Sequence, residues 1–134
     1  MIVVDANILI YSLIKCDQSS LIQKLRGKDV DWRTAALCLH ETVNVLTTYQ
    51  RREVLTLVQC RALLDHVERF IKVAQCKVVM DTALAVAAEY AITGYDAQYV
   101  ALAQSLNVPL ITQDRKLQKA VPGIAVSIQE FLAG

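Results

Sequence analysis

Three times in this chain a short apolar run is followed by an aspartate and then by a helical pattern. Ile2–Val4 precedes Asp5, Val78–Met80 precedes Asp81, and Leu110–Ile111 leads through Thr112 and Gln113 to Asp114. The runs are apolar throughout and do not alternate with polar residues, so both faces of each strand are expected to be covered. That pattern, with helices between the strands, is the mark of a parallel sheet flanked by helices on either side. In such sheets, ligands bind at the carboxyl ends of the strands, which is where these aspartates fall.

The remaining elements follow from periodicity and punctuation. Met1–Val4 reads as a strand and Ala6–Ile14 as a helix, with a second helix over Ser19–Arg26 stopped by Gly27. Trp32–Ala36 reads as a short strand, Leu37–Gln50 as a helix and Glu53–Val73 as a long amphipathic one. Lys77–Met80 is the next expected strand, then the Ala-rich helix Thr82–Ile92 ended by Gly94, then a helix over Ala97–Leu106. Leu110–Ile111, a helical turn at Lys116–Ala120, a turn at Pro122-Gly123, a strand at Ile124–Val126 and a helix through Leu132 complete the chain. Four Gly and two Pro are too few to mark a linker, so residues 1–134 read as one α/β domain.

Composition narrows the setting. Apolar residues make up 54% of the chain, above the roughly 45–50% of soluble domains, which excludes disorder and predicts an apolar surface for a partner or a second copy. The longest apolar run, Ala83–Ala88, is far short of the ~20 residues needed to cross a bilayer, and no basic segment precedes the amino-terminal apolar stretch as in a signal peptide. Cys16, Cys38, Cys60 and Cys76 form no Cys-x-x-Cys pair and read as reduced, mostly buried thiols of a cytoplasmic protein. The net charge of +1 gives no hint of nucleic acid.

Of the 13 acids, five adjoin apolar runs: Asp5, Glu41, Asp81, Asp96 and Asp114. Asp5, Asp81 and Asp114 each have two readings, a helix N-cap contributing ~1 kcal/mol or a ligand at a strand end, and Asp96, which follows Gly94-Tyr95 and opens a helix, shares the ambiguity. Glu41 is more telling. Leu37 and Val45 share its helical row, and Leu39, Val43 and Leu46 form a second apolar row across the helix. A lone charge there would cost several kcal/mol, so Glu41 must face a cleft or a partner. If Asp5, Glu41, Asp96 and Asp114 converge, carboxylates ~5 Å apart repel by roughly 3 kcal/mol at an effective dielectric of 20. They must then hold protons or a cation, and hard oxygen donors without His or Cys favour Mg²⁺ or Mn²⁺. A carboxylate-held divalent ion suits phosphate-ester chemistry.

Four stretches carry a family resemblance: Ile2-Val3-Val4-Asp5-Ala6-Asn7-Ile8-Leu9-Ile10, Glu41-Thr42-Val43-Asn44-Val45-Leu46, Tyr95-Asp96-Ala97-Gln98-Tyr99-Val100-Ala101-Leu102-Ala103, and Leu110-Ile111-Thr112-Gln113-Asp114. In order and context they resemble the PIN-domain ribonucleases, most closely the VapC-type toxins of prokaryotic toxin–antitoxin pairs. The resemblance implies a three-layer α/β/α fold with a central parallel sheet. It implies that Asp5, Glu41, Asp96 and Asp114 hold one or two Mg²⁺ or Mn²⁺ ions and cleave RNA, with Asn7 and Thr112 orienting the cluster. It further implies a small antitoxin partner, and it leaves Asp81 as a helix cap. The apolar surplus is expected to be buried in a homodimer or higher oligomer. Many relatives carry another acid shortly after the fourth, whereas Arg115-Lys116 stands here. That pair could hold substrate phosphate or simply lie exposed on a short helix.

Other chemistry-bearing residues have plainer roles. Arg51-Arg52 is better read as complementing a helix end than as an RNA contact. His40 and His66 lack a partnered nucleophile, and no Gly-rich phosphate loop exists. Tyr95 and Tyr99 could stack on bases, but packing beside the sheet is favoured for both. Two rival functions stand beside the nuclease: a PIN-like binding module without turnover, and an aspartyl-phosphate phosphatase or receiver using Asp5. The phosphatase usually wants a second Asp where Asn7 stands. If the four acids bind metal, nine acids remain against 14 Lys and Arg, so a near-neutral total conceals a basic remainder.

Overall fold

The computed structural model describes residues 1–134. The chain runs β1 (Ile2–Val4), α1 (Ala6–Tyr11), α2 (Ser19–Lys28), β2 (Trp32–Ala35), α3 (Leu37–Arg51), α4 (Leu57–Ala74) and β3 (Gln75–Cys76). It continues through α5 (Met80–Tyr90), α6 (Gly94–Leu106), β4 (Leu110–Ile111), α7 (Arg115–Ala120), β5 (Ala125–Val126) and α8 (Ile128–Ala133). All five strands are parallel, in the order β3-β2-β1-β4-β5. Val3 lies opposite Arg33 on one side and Leu110 on the other.

The period of two along a strand sorts the core into two layers. Val3 and Leu110 point into a cluster with Leu9, Val67, Ile71, Tyr99 and Leu102, beneath α3 to α6. Ile2, Val4 and Ile111 point the other way, toward Ile8, Ile22, Leu25, Trp32 and Ile128. The middle strand β1 is wholly buried, and each such side chain contributes about 1.5–3 kcal/mol by leaving water. Helices therefore cover both faces, giving the expected α/β/α sandwich. Helix α6 lies nearest the sheet, against β1, β2 and β4. Its Ala97, Ala101 and Ala103 are buried, and their small side chains permit that close approach.

The strand order also creates a crevice. From β1 the chain builds outward through β2 and β3, then crosses back to lay β4 on the opposite side of β1. Between β1 and β4 the winding direction reverses, and their carboxyl ends flank the opening where ligands of such sheets bind.

Several boundaries differ from expectation for physical reasons. Strand β3 pairs through Gln75 and Cys76, opposite Thr34 and Ala35, and not through Lys77–Met80. The apolar Val78–Met80 run instead leads into α5, which shows how little a short apolar run distinguishes strand from helix. Val79 caps α5, so Asp81 is no cap: it sits exposed in the first turn. Gly27 does not stop α2, which continues to Lys28 and closes with the Asp29 N–H donating to the Leu25 carbonyl. Gly94 opens α6, because the preceding helix already ends at Ala91 in the left-handed conformation (φ 55°). Helix α4 starts at Leu57, where Thr56 and Gln59 form a reciprocal capping box. The buried face of α3 is Cys38, Thr42 and Leu46, with Val43 48% exposed; Thr42 tolerates burial by donating its hydroxyl to the Cys38 carbonyl at 2.7 Å.

Candidate active site

The β1 strand ends at Val4, and Asp5 turns the chain into α1. Its Oδ1 accepts from the Ile8 N–H at 3.1 Å, which fixes the first turn of the helix. Asp114 does the same after β4: its Oδ1 accepts from the Lys116 and Leu117 N–H groups at 2.9 and 3.2 Å, capping α7. Cap and candidate ligand are therefore not exclusive readings. Each cap uses one carboxylate oxygen and leaves the other without a backbone donor.

Asp96 is freed from capping altogether. Thr93 caps α6 by accepting from the Asp96 N–H at 3.1 Å, so Asp96 stands in the helix's first turn with its carboxylate half-buried. The Thr-x-x-Asp spacing is a start signal that could have been read from the sequence. Glu41 lies one turn into α3, on the face that looks toward α6. The buried Tyr99 hydroxyl donates to its Oε1 at 2.5 Å, a contact between residues far apart in the chain that no local pattern announces.

All four acids line one cleft of about 150 Å³ with Asn7, Thr112, Tyr99, Val45 and Leu117. Burial pushes the Asp5 carboxyl up to about 6, against relief from the Thr112 hydroxyl and the Ile8 N–H, with the charges of Glu41 and Asp96 adding to the rise. Burial likewise raises Glu41, reinforced by Asp96 and opposed by Tyr99, and raises Asp96, reinforced by Asp114. Burial and these acids push the Tyr99 phenol far above its usual range, so it stays a donor. No base neutralises the group. The three ion pairs of the molecule join Met1 to Asp29, Arg33 to Asp31 and Arg69 to Asp65. Four coupled carboxylates without a basic partner are the donor chemistry of a hard divalent cation. As the side chains stand, no three of them close on one point tightly enough to enclose an ion, so holding one requires carboxylates to turn toward it.

The other predicted residues divide. Thr112 is buried beside both strand-end acids: its hydroxyl accepts from the Asp114 N–H at 3.1 Å and eases the charge of Asp5. Asn7 lines the cleft but its side chain makes no hydrogen bond within the chain. Arg51 occupies the last turn of α3 and Arg52 follows it, both exposed and outside the cleft lining. Arg115 and Lys116 open α7, exposed beside Asp114, and also do not line the cleft. Tyr99 packs beside the sheet as expected. Tyr95 does not: it is 64% exposed.

A profile of the PIN domain matches residues 2–122. The chain belongs to the PIN-domain family. It is 29% identical over 126 residues to Ribonuclease VapC3 from Pyrobaculum aerophilum, covering 92% of this chain and 96% of that one. The crystal structure of PAE2754 from Pyrobaculum aerophilum superimposes with a TM-score of 0.75 at 25% identity, covering 98% of this PIN-domain chain and 93% of that chain. A toxin–antitoxin complex from Klebsiella pneumoniae shares the fold, with a TM-score of 0.68 at 18% identity over 96% of this chain and 98% of that one. The expected resemblance to VapC-type proteins is met by these relatives.

Proposed function

We propose that this PIN-domain chain, one domain over residues 1–134, is a metal-dependent endoribonuclease and the toxin of a toxin–antitoxin pair. One observation carries the reading: four acids from separate elements line a single cleft at the sheet's switch point with no basic partner. The relative named as a ribonuclease and the fold shared with a toxin–antitoxin complex support the activity and the antitoxin. Asp5, Glu41, Asp96 and Asp114 would hold one or two Mg²⁺ or Mn²⁺ ions. When bound, such an ion polarises a phosphodiester, lowers the pKa of water and steadies the leaving oxygen.

The chain's own residues do the rest. Asp5 and Asp114 are held by the backbone N–H groups they cap, which leaves one oxygen of each free of the backbone to turn toward an ion. Thr112, buried between the two strand ends, fixes the backbone of Asp114 through its N–H and sits beside the Asp5 carboxylate. The Tyr99 hydroxyl holds one oxygen of Glu41 and leaves the other free. The cleft is smaller than the roughly 300–1,000 Å³ that encloses a whole small-molecule ligand, so an RNA would present one phosphate and lie across the mouth.

Exposed Val43, Val54, Leu57, Val58, Val73, Val79, Met80 and Leu84 supply apolar surface for antitoxin and homodimer contacts. No helix is long and apolar enough to cross a membrane. The decisive experiment is cleavage of total RNA with Mg²⁺ or Mn²⁺, with and without chelator, for wild type and Asp5→Asn. Cleavage abolished by both manipulations is the expected result; cleavage indifferent to both would overturn the metal reading.

A further inference from the structure

The acid cleft opens sideways into a second, wider groove. Glu41 and Val45 line both, and the groove, about 550 Å³, is completed by Leu37, His40 and Asn44 of α3 and by Tyr95 of α6. The α3 residues fall at helical spacing on one face, so the groove follows the helix from its first turn. Tyr95 forms the opposite wall and is the only aromatic residue of the chain that is left exposed. Its backbone is held between the Thr93 cap and Asp96, and a tyrosine ring has only two torsions to fix.

From this juxtaposition we propose that the groove holds one unpaired nucleobase of the RNA, next to the phosphate at the acids, stacked on Tyr95 and read at its edge by His40 and Asn44. The proposal rests on the ribonuclease reading and adds a subsite that sets which base flanks the cut. The chemistry fits a base better than a phosphate or a peptide. Leu37 and Val45 offer an apolar floor to a flat face, His40 and Asn44 bring hydrogen-bonding atoms to its rim, and no Lys or Arg lines the groove to hold backbone charge. A base within a duplex cannot present its face to Tyr95, so the groove selects single-stranded RNA. Its junction with the acid cleft at Glu41 puts the stacked nucleotide beside the scissile bond.

The test measures binding apart from cleavage. A short single-stranded RNA and versions with one abasic position moved along it are titrated with protein in Ca²⁺ buffer. Wild type should bind about tenfold or more weakly when one particular base is missing, as expected for the loss of a stack. Tyr95→Ala should erase that difference at that position, and Tyr95→Phe should keep it. His40→Ala and Asn44→Ala should flatten the preference among the four bases while leaving the abasic penalty. Because Tyr95 is exposed, the variants should keep the wild-type circular dichroism and Tm. Equal abasic profiles for wild type and Tyr95→Ala would overturn the subsite, as would a change in sedimenting mass with RNA binding untouched, which would make the groove a protein interface. Tyr95-dependent discrimination without cleavage would instead refute the nuclease activity and leave the subsite standing. Absence of any RNA binding by wild type would overturn both.

Discussion

Asp5 and Asp81 begin from the same local sequence, an apolar run, an aspartate and a helix, and end in opposite surroundings. Asp5 follows the central strand, caps α1 and faces three other acids across a cleft. Asp81 follows the edge strand β3 after a loop, lies inside α5 and faces solvent. The two local sequences say nearly the same thing. What separates the residues is the position of the preceding strand: only the centre of the sheet has a neighbour on each side and a reversal of winding to open a crevice. An acid at the edge inherits neither.

The largest test of that contrast is catalytic. Asp5→Asn keeps the side-chain oxygen that caps α1 and removes the charge, so the fold should persist while RNA cleavage falls about a hundredfold or more. Asp81→Asn should leave the rate within about twofold of wild type. Gel-resolved cleavage of one RNA by both variants decides it. Comparable losses would mean that the cleft does not define the site.

The same pair should differ in stability, and with opposite signs. The Asp5 carboxyl has its ordinary value of 3.8 in the unfolded chain and about 6 when folded. Between these values the native state holds the extra proton, so this group favours folding fully below pH ~4 and loses that contribution as pH rises through 6. At pH 7 its charge opposes folding by about 3 kcal/mol, two units of pKa at ~1.4 kcal/mol each. Glu41 and Asp96 are shifted in the same direction. Metal-free Asp5→Asn should therefore melt several degrees above wild type at pH 7 and close to it at pH 4. Mn²⁺ should raise the Tm of wild type at pH 7 and move the variant far less. A variant less stable than wild type at pH 7 would show that burial of the Asp5 charge is not unfavourable.

This contrast also marks how far the sequence could be read. The apolar runs Ile2–Val4 and Leu110–Ile111, with helical patterns between them, were enough for a parallel sheet covered on both faces, although the third run, Val78–Met80, leads into a helix. The four acids were legible through four motif stretches in order, not through their individual settings. Strand β3 was not legible: at an edge, two residues pair because Thr34 and Ala35 present partners, whatever their hydropathy. Tyr95 and Tyr99 show the same limit on the site. They lie four apart on one helix, yet one is buried against Glu41 and the other stands free, because α6 begins just before them and its first turn extends past the sheet.

A smaller effect is expected at the contact that holds Glu41. Tyr99→Phe removes one hydrogen bond to a half-buried carboxylate and leaves the ring's packing intact, costing about 1–3 kcal/mol at pH 7. The loss should shrink toward acid pH, since a protonated Glu41 needs no donor, and Glu41→Gln in the same background should recover part of it. Denaturant melts of the three proteins at pH 4.5 and 7 measure this. A loss equal at both pH values would assign the hydroxyl a packing role and separate Glu41 from the electrostatics of the cleft.

The smallest expected effect lies at Asp81, and it completes the contrast with Asp5. A negative charge in the first turn of a helix interacts favourably with the N–H groups exposed there, by about 0.3–1 kcal/mol at an exposed site. Asp81→Asn should therefore destabilise slightly at pH 7, with the difference fading in about 1 M salt as the charge is screened. Asp5→Asn stabilises under the same conditions, and its gain should persist better in salt because the group is buried away from counterions. One aspartate favours its helix through charge; the other is retained against stability. If both substitutions shifted Tm in the same direction, the distinction between a solvated acid at the sheet's edge and a repelled one at its centre would fail.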